Sequence, residues 1–443
     1  MRTIIAGAGE VGTHLAKLLA KEKQDVVLID SDPERLEEMT FINLMTIEGS
    51  PTSISTLREA GTGHADLFIA VTPLESVNIH ACILAANLGA KKIVARIDNF
   101  ETQKKENVEF YRKIGIDRLI YPELLGGEAV ARALALPWAR VFNPLCDGKL
   151  QLIGVKVHDG APIIGKKLME IGQAHRNFHI AAIKRGETMI IPHGNDMVMD
   201  QDVVYFITTP EHISHVRIIC NKKERHIHRV IIVGGSRLAI QATYFFPSDY
   251  QVTIIEKNRR TAEMLTEKVP HAKIIYGDGR DPEVLQEADI DNTDAFVALD
   301  DNSAANILAC LAAKQMGVAK TVAEVENIPD IPTADRLNIG SVINKKLIAA
   351  SNIYQLLLDS DTSTTKCLSL VDAEIADIVV AEDAKVTQHP VMHLALPKGV
   401  TLGGLVRDGV GMTVTGQTCL QAGDRVVVIC TEGSISQVEK LFH

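Results

Sequence analysis

The residues best suited to chemistry lie in the first thirty positions. Gly7-Ala8-Gly9-Glu10-Val11-Gly12 follows a short apolar run, Thr3-Ile4-Ile5-Ala6. It precedes a segment in which Val11, Leu15, Leu18 and Leu19 recur at helical spacing. A second apolar run, residues 26–29, ends in Asp30, eighteen residues past Gly12. Strand, glycine turn, helix, strand and acid, in this order, is what a dinucleotide site requires. Gly7 lets the chain turn sharply off the strand, Gly9 lets a pyrophosphate approach the backbone, and Gly12 lets helix and strand pack closely. The helix that opens at Glu10 and Val11 offers unpaired N–H groups and a partial positive charge to phosphate. Asp30 can accept hydrogen bonds from ribose hydroxyls and would repel a 2′-phosphate. The expected ligand is NAD(H) or an adenine nucleotide such as ATP or ADP.

The elements that must position these groups alternate in type. Asp32-Pro33-Glu34 opens a helix, with Asp32 as its cap and Pro33 in its first turn. Residues 44–47 read as a third strand running into Glu48-Gly49-Ser50, and residues 65–71 as a fourth running into Thr72-Pro73. Residues 78–88 form a helix closed by Gly89, residues 93–96 a fifth strand and residues 119–121 a sixth. This pattern predicts an open parallel sheet. Gly7, Asp30, Gly49, Thr72, Pro73 and Arg96 fall at its strand C-termini, where such sheets bind ligands. Thr72 suits a ribose or phosphate contact, or a helix cap. Asn78, like its match Asn306, is expected to open and cap its helix, with ligand binding as the alternative, and Arg96 to face a phosphate or a partner carboxylate. Residues 122–137 predict a further helix in which Gly126-Gly127 marks a bend. After Trp138, which reads as packing, come a strand at 151–157, a short helix at 164–171 and strands at 179–184, 188–191 and 202–207. Together they make a small α+β domain.

The pattern then restarts. Residues 229–239 match the opening, 252–256 match the strand ending in Asp30, and 296–300 match 68–72. Residues 306–313 match 78–85, 320–327 match 92–99, and 423–429 match 201–207. A tandem duplication at about 225 residues follows. The predicted fold is α/β, with two Rossmann-like parallel-sheet domains (N1 and N2) each followed by a small α+β domain (C1 and C2). The expected boundaries are 1–121 for N1, a helix at 122–137, 138–221 for C1, 227–343 for N2, a helix at 344–360, and 361–443 for C2. The two clefts should differ. The second turn reads Gly234-Gly235-Ser236, with Ala239 where the first has Gly12. Ser236 puts a Cβ and a hydroxyl where the pyrophosphate should approach. Glu256 keeps the ribose acceptor, Gly277-Asp278-Gly279 replaces Glu48-Gly49-Ser50, and Glu324 stands where the first half has Arg96. The second site is therefore expected to be weaker, altered or empty.

The totals narrow the function. There are 46 Lys and Arg against 56 Asp and Glu, a net charge of −10, which argues against a broad nucleic-acid surface. No apolar run reaches the roughly 18 residues of a membrane-spanning helix, and the first strand begins at Thr3, leaving no room for a signal peptide. The seven cysteines form no C-x-x-C pair and read as small reduced hydrophobes, and the histidines show no metal-ligand spacing. Lys222-Lys223-Glu224-Arg225 reads most simply as a solvated linker, or else as a contact for an acidic partner or anionic lipid. A dehydrogenase would need a proton donor over the nicotinamide. The small domains offer no acid–base pair, and His158, His175, His179 and His193 read as structural.

With the order N1–C1–N2–C2 established, the chain resembles the TrkA family, peripheral nucleotide-binding subunits of Trk potassium-uptake systems built from tandem RCK (regulator of K⁺ conductance) domains. The resemblance is carried by residues 7–12, Leu57-Arg58-Glu59-Ala60-Gly61, Ala70-Val71-Thr72 with Asn78, and Ala95-Arg96-Ile97. In the second half Val233-Gly234-Gly235, Gly277-Asp278, Asn306-Ile307, Asp424-Arg425-Val426-Val427 and residues 438–442 carry it. It implies a cytoplasmic regulator, peripheral on the inner face of the plasma membrane. It also implies self-association into dimers and a tetrameric ring on a membrane K⁺-translocating subunit, with NAD(H), ATP or ADP setting the ring's shape. Residues 7, 9, 11 and 12 would then cradle phosphates, Asp30 would hold ribose, Thr72 and Arg96 would complete the site, and Gly234 and Glu256 would mark its remnant in the second half. An NAD-linked oxidoreductase, or a nucleotide sensor for another ion transporter, are the competing classes.

Overall fold

Long stretches of the chain are apolar on both faces, and these form the central strands. The computed structural model describes residues 1–443 apart from 22, 359–365, 371–372 and 432–434. The expected boundary at 360/361 lies outside the described residues. The first sheet contains β1 (Arg2–Ala6), β2 (Asp25–Asp30), β3 (Met45–Glu48), β4 (Leu67–Ala70), β5 (Lys92–Arg96) and β6 (Arg118–Ile120). All are parallel, in the order β3-β2-β1-β4-β5-β6. Ile4, Ile5, Leu28, Ile29, Phe68 and Val94 are fully buried, as expected for parallel strands covered on both faces by helices. Ala6 pairs with Ile29 on one side and Ala70 on the other, so the strand order reverses at β1 and the flanking strands end level there.

The second sheet is antiparallel: β7 (Val141–Leu145), β8 (Leu150–Lys156), β9 (Phe178–Arg185), β10 (Thr188–Ile190) and β11 (Val203–Thr208), in the order β10-β9-β11-β8-β7. Strand β7 was not expected from the sequence because Pro144 interrupts it. As an edge strand paired only with β8, it tolerates a residue that cannot donate to a ladder. The third sheet repeats the first: β12 (Arg229–Val233), β13 (Gln251–Glu256), β14 (Lys273–Tyr276), β15 (Ala295–Ala298), β16 (Lys320–Glu324) and β17 (Ser341–Ile343), in the order β14-β13-β12-β15-β16-β17. The fourth repeats the second: β18 (Lys366–Leu370), β19 (Ala373–Val379), β20 (Val400–Arg407), β21 (Val410–Thr413) and β22 (Arg425–Thr431), in the order β18-β19-β22-β20-β21. The repetition extends to single contacts. Arg185 holds buried Asp202 with a bidentate pair at 3.0 and 2.8 Å, and Arg407 holds buried Asp424 at 2.8 and 2.7 Å.

The chain forms two compact units, residues 1–125 with 345–362, and residues 126–344 with 363–443. In the first, the helix Lys345–Leu358, which follows the third sheet in sequence, packs on the glycine-turn helix Glu10–Lys21. In the second, the helix Pro122–Ala135 lies against the helix Arg237–Tyr244. A Cβ on Gly127 would come within 2.7 Å of the Ala242 backbone nitrogen. Gly127 therefore serves close helix approach, and the helix hydrogen-bonding pattern runs unbroken across Gly126-Gly127.

Also in the second unit, the two antiparallel sheets share one core, with Leu152 and Ile207 beside Ile375, Val427 and Ile429. A Cβ on Gly403 would lie 2.2 Å from Ile207 Cδ1, so a larger residue there would force the Ile207 side chain to move. His179 meets Thr401 there at 3.1 Å, and burial pushes its pKa down to about 4.

Gly127→Val should destabilise the chain by about 2–3 kcal/mol. Gly172→Ala, at a helical position with open space around it, should be neutral or slightly stabilising. Urea midpoints compare the two. Between pH 6.5 and 4 unfolded His179 takes up a proton that the folded residue refuses. Stability should thus fall as pH drops through that window, and His179→Gln should flatten the dependence in melting curves.

Candidate functional site

Gly7 takes φ +112°, a conformation natural to glycine, and its N–H donates to the Ile29 carbonyl at 2.8 Å. A Cβ on Gly12 would lie 1.8 Å from the Gly7 carbonyl oxygen, so this glycine is demanded by packing of the helix on the turn. Gly9 differs from both. Its φ is not positive, and a Cβ built on it meets nothing within 4 Å. Ala8 and Val11 are buried beside it.

Asp30 is 8% exposed, and both its oxygens already accept backbone hydrogen bonds, from Ala8 N at 2.5 Å and from Asp32 N at 3.0 Å. The acid therefore clamps the glycine turn, and any ribose contact would use its remaining lone pairs. Gly49 follows β3, with its N–H donating to the Asp30 carbonyl at 2.8 Å, and so lies next to the acid. Asp32 caps its helix as expected, accepting from Glu34 N at 3.1 Å.

Asn78 does not open its helix, which starts at Glu75. It is buried one turn in. Its Oδ1 accepts from Thr72 N at 2.9 Å, and its Nδ2 donates to the Thr72 and Arg96 carbonyls, both at 3.0 Å. One side chain thus ties the ends of β4 and β5 together. Thr72 is not a helix cap either: Leu74 holds that position without a side-chain bond, and the Thr72 hydroxyl lies 2.7 Å from Asn78 Oδ1. Pro73 is exposed beyond it. Arg96 is half-buried at the end of β5, and its guanidinium has no ion-pair partner among the described residues. Glu10 is ion-paired at 2.9 Å with Lys346, which arrives on the helix Lys345–Leu358. Sequence reasoning missed Lys346, because nothing local announces that a helix from the far half returns to this turn.

The second cleft keeps the skeleton and changes the charges. Gly234 takes φ +96°, and Glu256 accepts from Gly235 N and Asn258 N, both at 2.6 Å. Asn306 ties the ends of β15 and β16 through Asp300 and Glu324, repeating Asn78. Gly235 is packed tightly: a Cβ there would come within 2.5 Å of Leu265. Ser236 Oγ accepts from Ala239 N at 3.2 Å and so caps its own helix, a bond that Gly9, lacking a side chain, cannot make. Lys257 pairs with Asp300, whose counterpart in the first cleft is Thr72. Asp278, next to Gly277, pairs with Arg280 at 2.6 Å, and that hydrogen bond pulls its carboxyl down to about 2. The cavity these groups line measures about 20 Å³, room for about one water. Among the described residues no cluster of histidine, cysteine or acid could hold a metal, and no helix is long and apolar enough to cross a membrane.

The comparisons agree with this duplicated plan. The family model for the TrkA-N domain matches residues 3–122 and 230–345, and that for the TrkA-C domain matches 152–220 and 375–443. The chain is 29% identical over 452 residues to the Trk system potassium uptake protein TrkA of Haemophilus influenzae, covering 100% of this chain and 99% of that one. It is 30% identical to TrkA of Vibrio alginolyticus at the same coverage. It is also 28% identical to a Methanosarcina mazei TrkA homologue, with 100% of both chains covered. Among solved structures, the GsuK RCK domain matches with a TM-score of 0.60 at 16% identity, covering 100% of this chain and 94% of that one. The GsuK channel bound to NAD matches with a TM-score of 0.60 at 16% identity, covering 100% and 78%. Two TrkA-N and two TrkA-C matches in alternation, with full-length relatives of the same plan, mean that the chain belongs to the TrkA family of Trk system potassium uptake proteins.

Proposed function

We propose that the chain is the nucleotide-sensing regulatory subunit of a Trk-type potassium uptake system, with its sensor at the first glycine turn. The observation that carries this reading is Gly9. The fold has no need of glycine there, since a Cβ would enter open space. A ligand approaching the backbone does need one. Around that opening stand the N-terminus of the helix Glu10–Lys21 for phosphate, Asp30 for ribose, and Arg96 and Thr72 at the neighbouring strand ends. NAD(H) is the favoured ligand, supported by the open glycine turn beside the acid at position 30 and by the GsuK channel bound to NAD, with ATP and ADP as alternatives. The second cleft is the weaker site: Ser236 caps the helix, and both cations of the lining are already paired with its own acids, Glu256 remaining over.

The chain's own residues bind and position; among the described residues no acid–base pair stands over the first cleft to move a hydride or a proton. We therefore read it as a regulator rather than an enzyme. It would act on the inner face of the membrane, self-associated and docked on a K⁺-translocating subunit. Its switch is differential affinity: the nucleotide must bind one conformation better than the other. The Glu10–Lys346 pair is where phosphate charge would first be felt, because it joins the glycine-turn helix to the helix returning from the second half.

Calorimetry on the full chain should find one strong NADH site. Gly9→Ala should weaken it by about tenfold or more with an unchanged melting temperature, whereas Glu256→Gln should leave the strong phase in place. In proteoliposomes carrying the cognate translocating subunit, NADH should alter potassium flux with the wild-type chain and lose that effect with Gly9→Ala. Equal NADH affinity in wild type and Gly9→Ala would sink the assignment, and sustained NADH oxidation by the purified chain would replace it with an enzyme.

A further inference from the structure

The basic run at residues 222–225 is an exposed linker at Lys223, Glu224 and Arg225, as expected, but its lysines and arginine also face a cavity. Glu224 pairs with Arg217 at 3.1 Å, Lys222 is half-buried, and the run forms one wall of a cavity of about 320 Å³ within the second unit. Seven of its sixteen lining residues are lysine or arginine, and none is a carboxylate. Arg140 comes from the segment entering β7, Lys156 from the end of β8, Lys314 from the helix Ser303–Gln315, and Lys320 from β16. Trp138, the chain's single tryptophan, completes the wall beside them.

The cations are set for an occupant. Lys320 is only 3% exposed. Its ammonium donates to the Ala139 carbonyl at 2.7 Å and to Ser341 Oγ at 2.9 Å, which leaves one of its three protons to the cavity it lines. Arg140 reaches Asn338, and its nearest carboxylate, Asp335 at 3.7 Å, is drawn more closely to Lys184 at 2.6 Å. Lys156 and Lys222 make no ion pair among the described residues. Burial first, and neighbouring cations second, lower the pKa of Lys156, Lys222 and Lys314, and push that of Lys320 down to about 7. A chain of net charge −10 that gathers seven lysine and arginine side chains into one concavity, without an acid in its lining, carries an electrostatic cost that a multivalent anion would relieve.

We propose that this cavity is a second ligand site, separate from both glycine-turn clefts, and that it takes a phosphate-rich small molecule. Its size falls within the range of small-molecule sites. Its concavity argues against a membrane surface or an extended polyanion. Convergent lysines and arginines suit several phosphate oxygens better than a single carboxylate. Trp138 offers an apolar face for a base, should the phosphates belong to a nucleotide. Because the walls come from the first antiparallel domain and from the second Rossmann-like sheet, the bound anion would fasten these two domains together.

The test uses the full chain and two probes, inorganic tripolyphosphate and ATP, by calorimetry at fixed ionic strength. Tripolyphosphate should bind saturably, and Lys156→Gln with Lys222→Gln should weaken it by about tenfold or more. NADH affinity in that double variant should be unchanged. Lys166→Gln with Lys167→Gln, at exposed lysines outside the cavity, should have no effect on tripolyphosphate. Gly9→Ala should also leave tripolyphosphate binding intact, which separates this site from the proposed NADH site. ATP binding that persists in Gly9→Ala, quenches Trp138 and is lost in the lysine double variant would identify the phosphates as a nucleotide's. Binding of tripolyphosphate alone would identify an oligophosphate site. Absence of saturable binding, or binding that survives the lysine changes and is lost with Gly9→Ala, would overturn the proposal.

Discussion

The architecture of each Rossmann-like cleft depends on one buried carboxylate holding the glycine turn by its backbone. Asp30 accepts from Ala8 N and Asp32 N; Glu256 accepts from Gly235 N and Asn258 N. An ionised carboxylate at 8% or 7% exposure would be costly without such donors. With them, the turn after the first strand and the loop after the second are locked in register, and the helix that follows the turn is aimed across the sheet edge. The same clamp in both halves means that an acid at this position does not by itself report a ligand. It is needed to build the cleft whether or not anything binds there. The informative difference is one residue further along, where Gly9 leaves its helix end open and Ser236 closes its own.

Duplication has preserved what the fold requires and released what it does not. Asn78 and Asn306 make the same ties between neighbouring strand ends, and Cys82 and Cys310 donate to equivalent carbonyls, those of Val94 and Val322. Lys92 and Lys320 occupy equivalent places on β5 and β16. Each donates to a carbonyl near a crossover helix, Lys92 to Leu356 within the helix Lys345–Leu358 and Lys320 to Ala139 beyond the helix Pro122–Ala135. Against this constant frame the cleft linings have diverged. Thr72 and Ser50 stand in the first half where Asp300 and Asp278 stand in the second, each of these acids with a cation of its own. A cleft that satisfies its own charges has little to gain from a phosphate.

Much of this was readable from residue types. The parallel strands are continuous apolar runs, and the turns carry glycine where the backbone needs positive φ, so the sheets and the repeat follow directly. The failures share a cause, which is that a local pattern does not say what lies across from it. Gly127 does not announce, in sequence, that the helix Arg237–Tyr244 packs against it. Pro144 hides a strand that only an edge position allows. Asn78 looks like a cap because its two tied carbonyls, at Thr72 and Arg96, are distant in sequence. Lys222 looks solvated until Arg140, Lys156, Lys314 and Lys320 are seen lining the same cavity. Within the first cleft the residues from 7 to 30 were legible as a set. Lys346 was not, since it arrives on a helix from the opposite end of the chain.

That return of a helix bears on how a binding event could become a signal. A rigid cleft that closes over its ligand without changing any other contact shifts no equilibrium, however tightly it binds. Here the helix whose N-terminus faces the proposed phosphate site is the same one that the helix Lys345–Leu358 packs against, and Glu10 and Lys346 pair across that contact. Phosphate charge at the glycine turn would repel Glu10 and attract Lys346. It would therefore weigh differently on conformations that differ in this pair, which is the differential interaction a switch needs. The second half differs at this point: its equivalent of Glu10 is Arg237, and both cations of its cleft lining are paired with acids of the same cleft. On the proposed reading the two halves are specialised, the first to sense and the second to contribute the helix through which the sensing is felt.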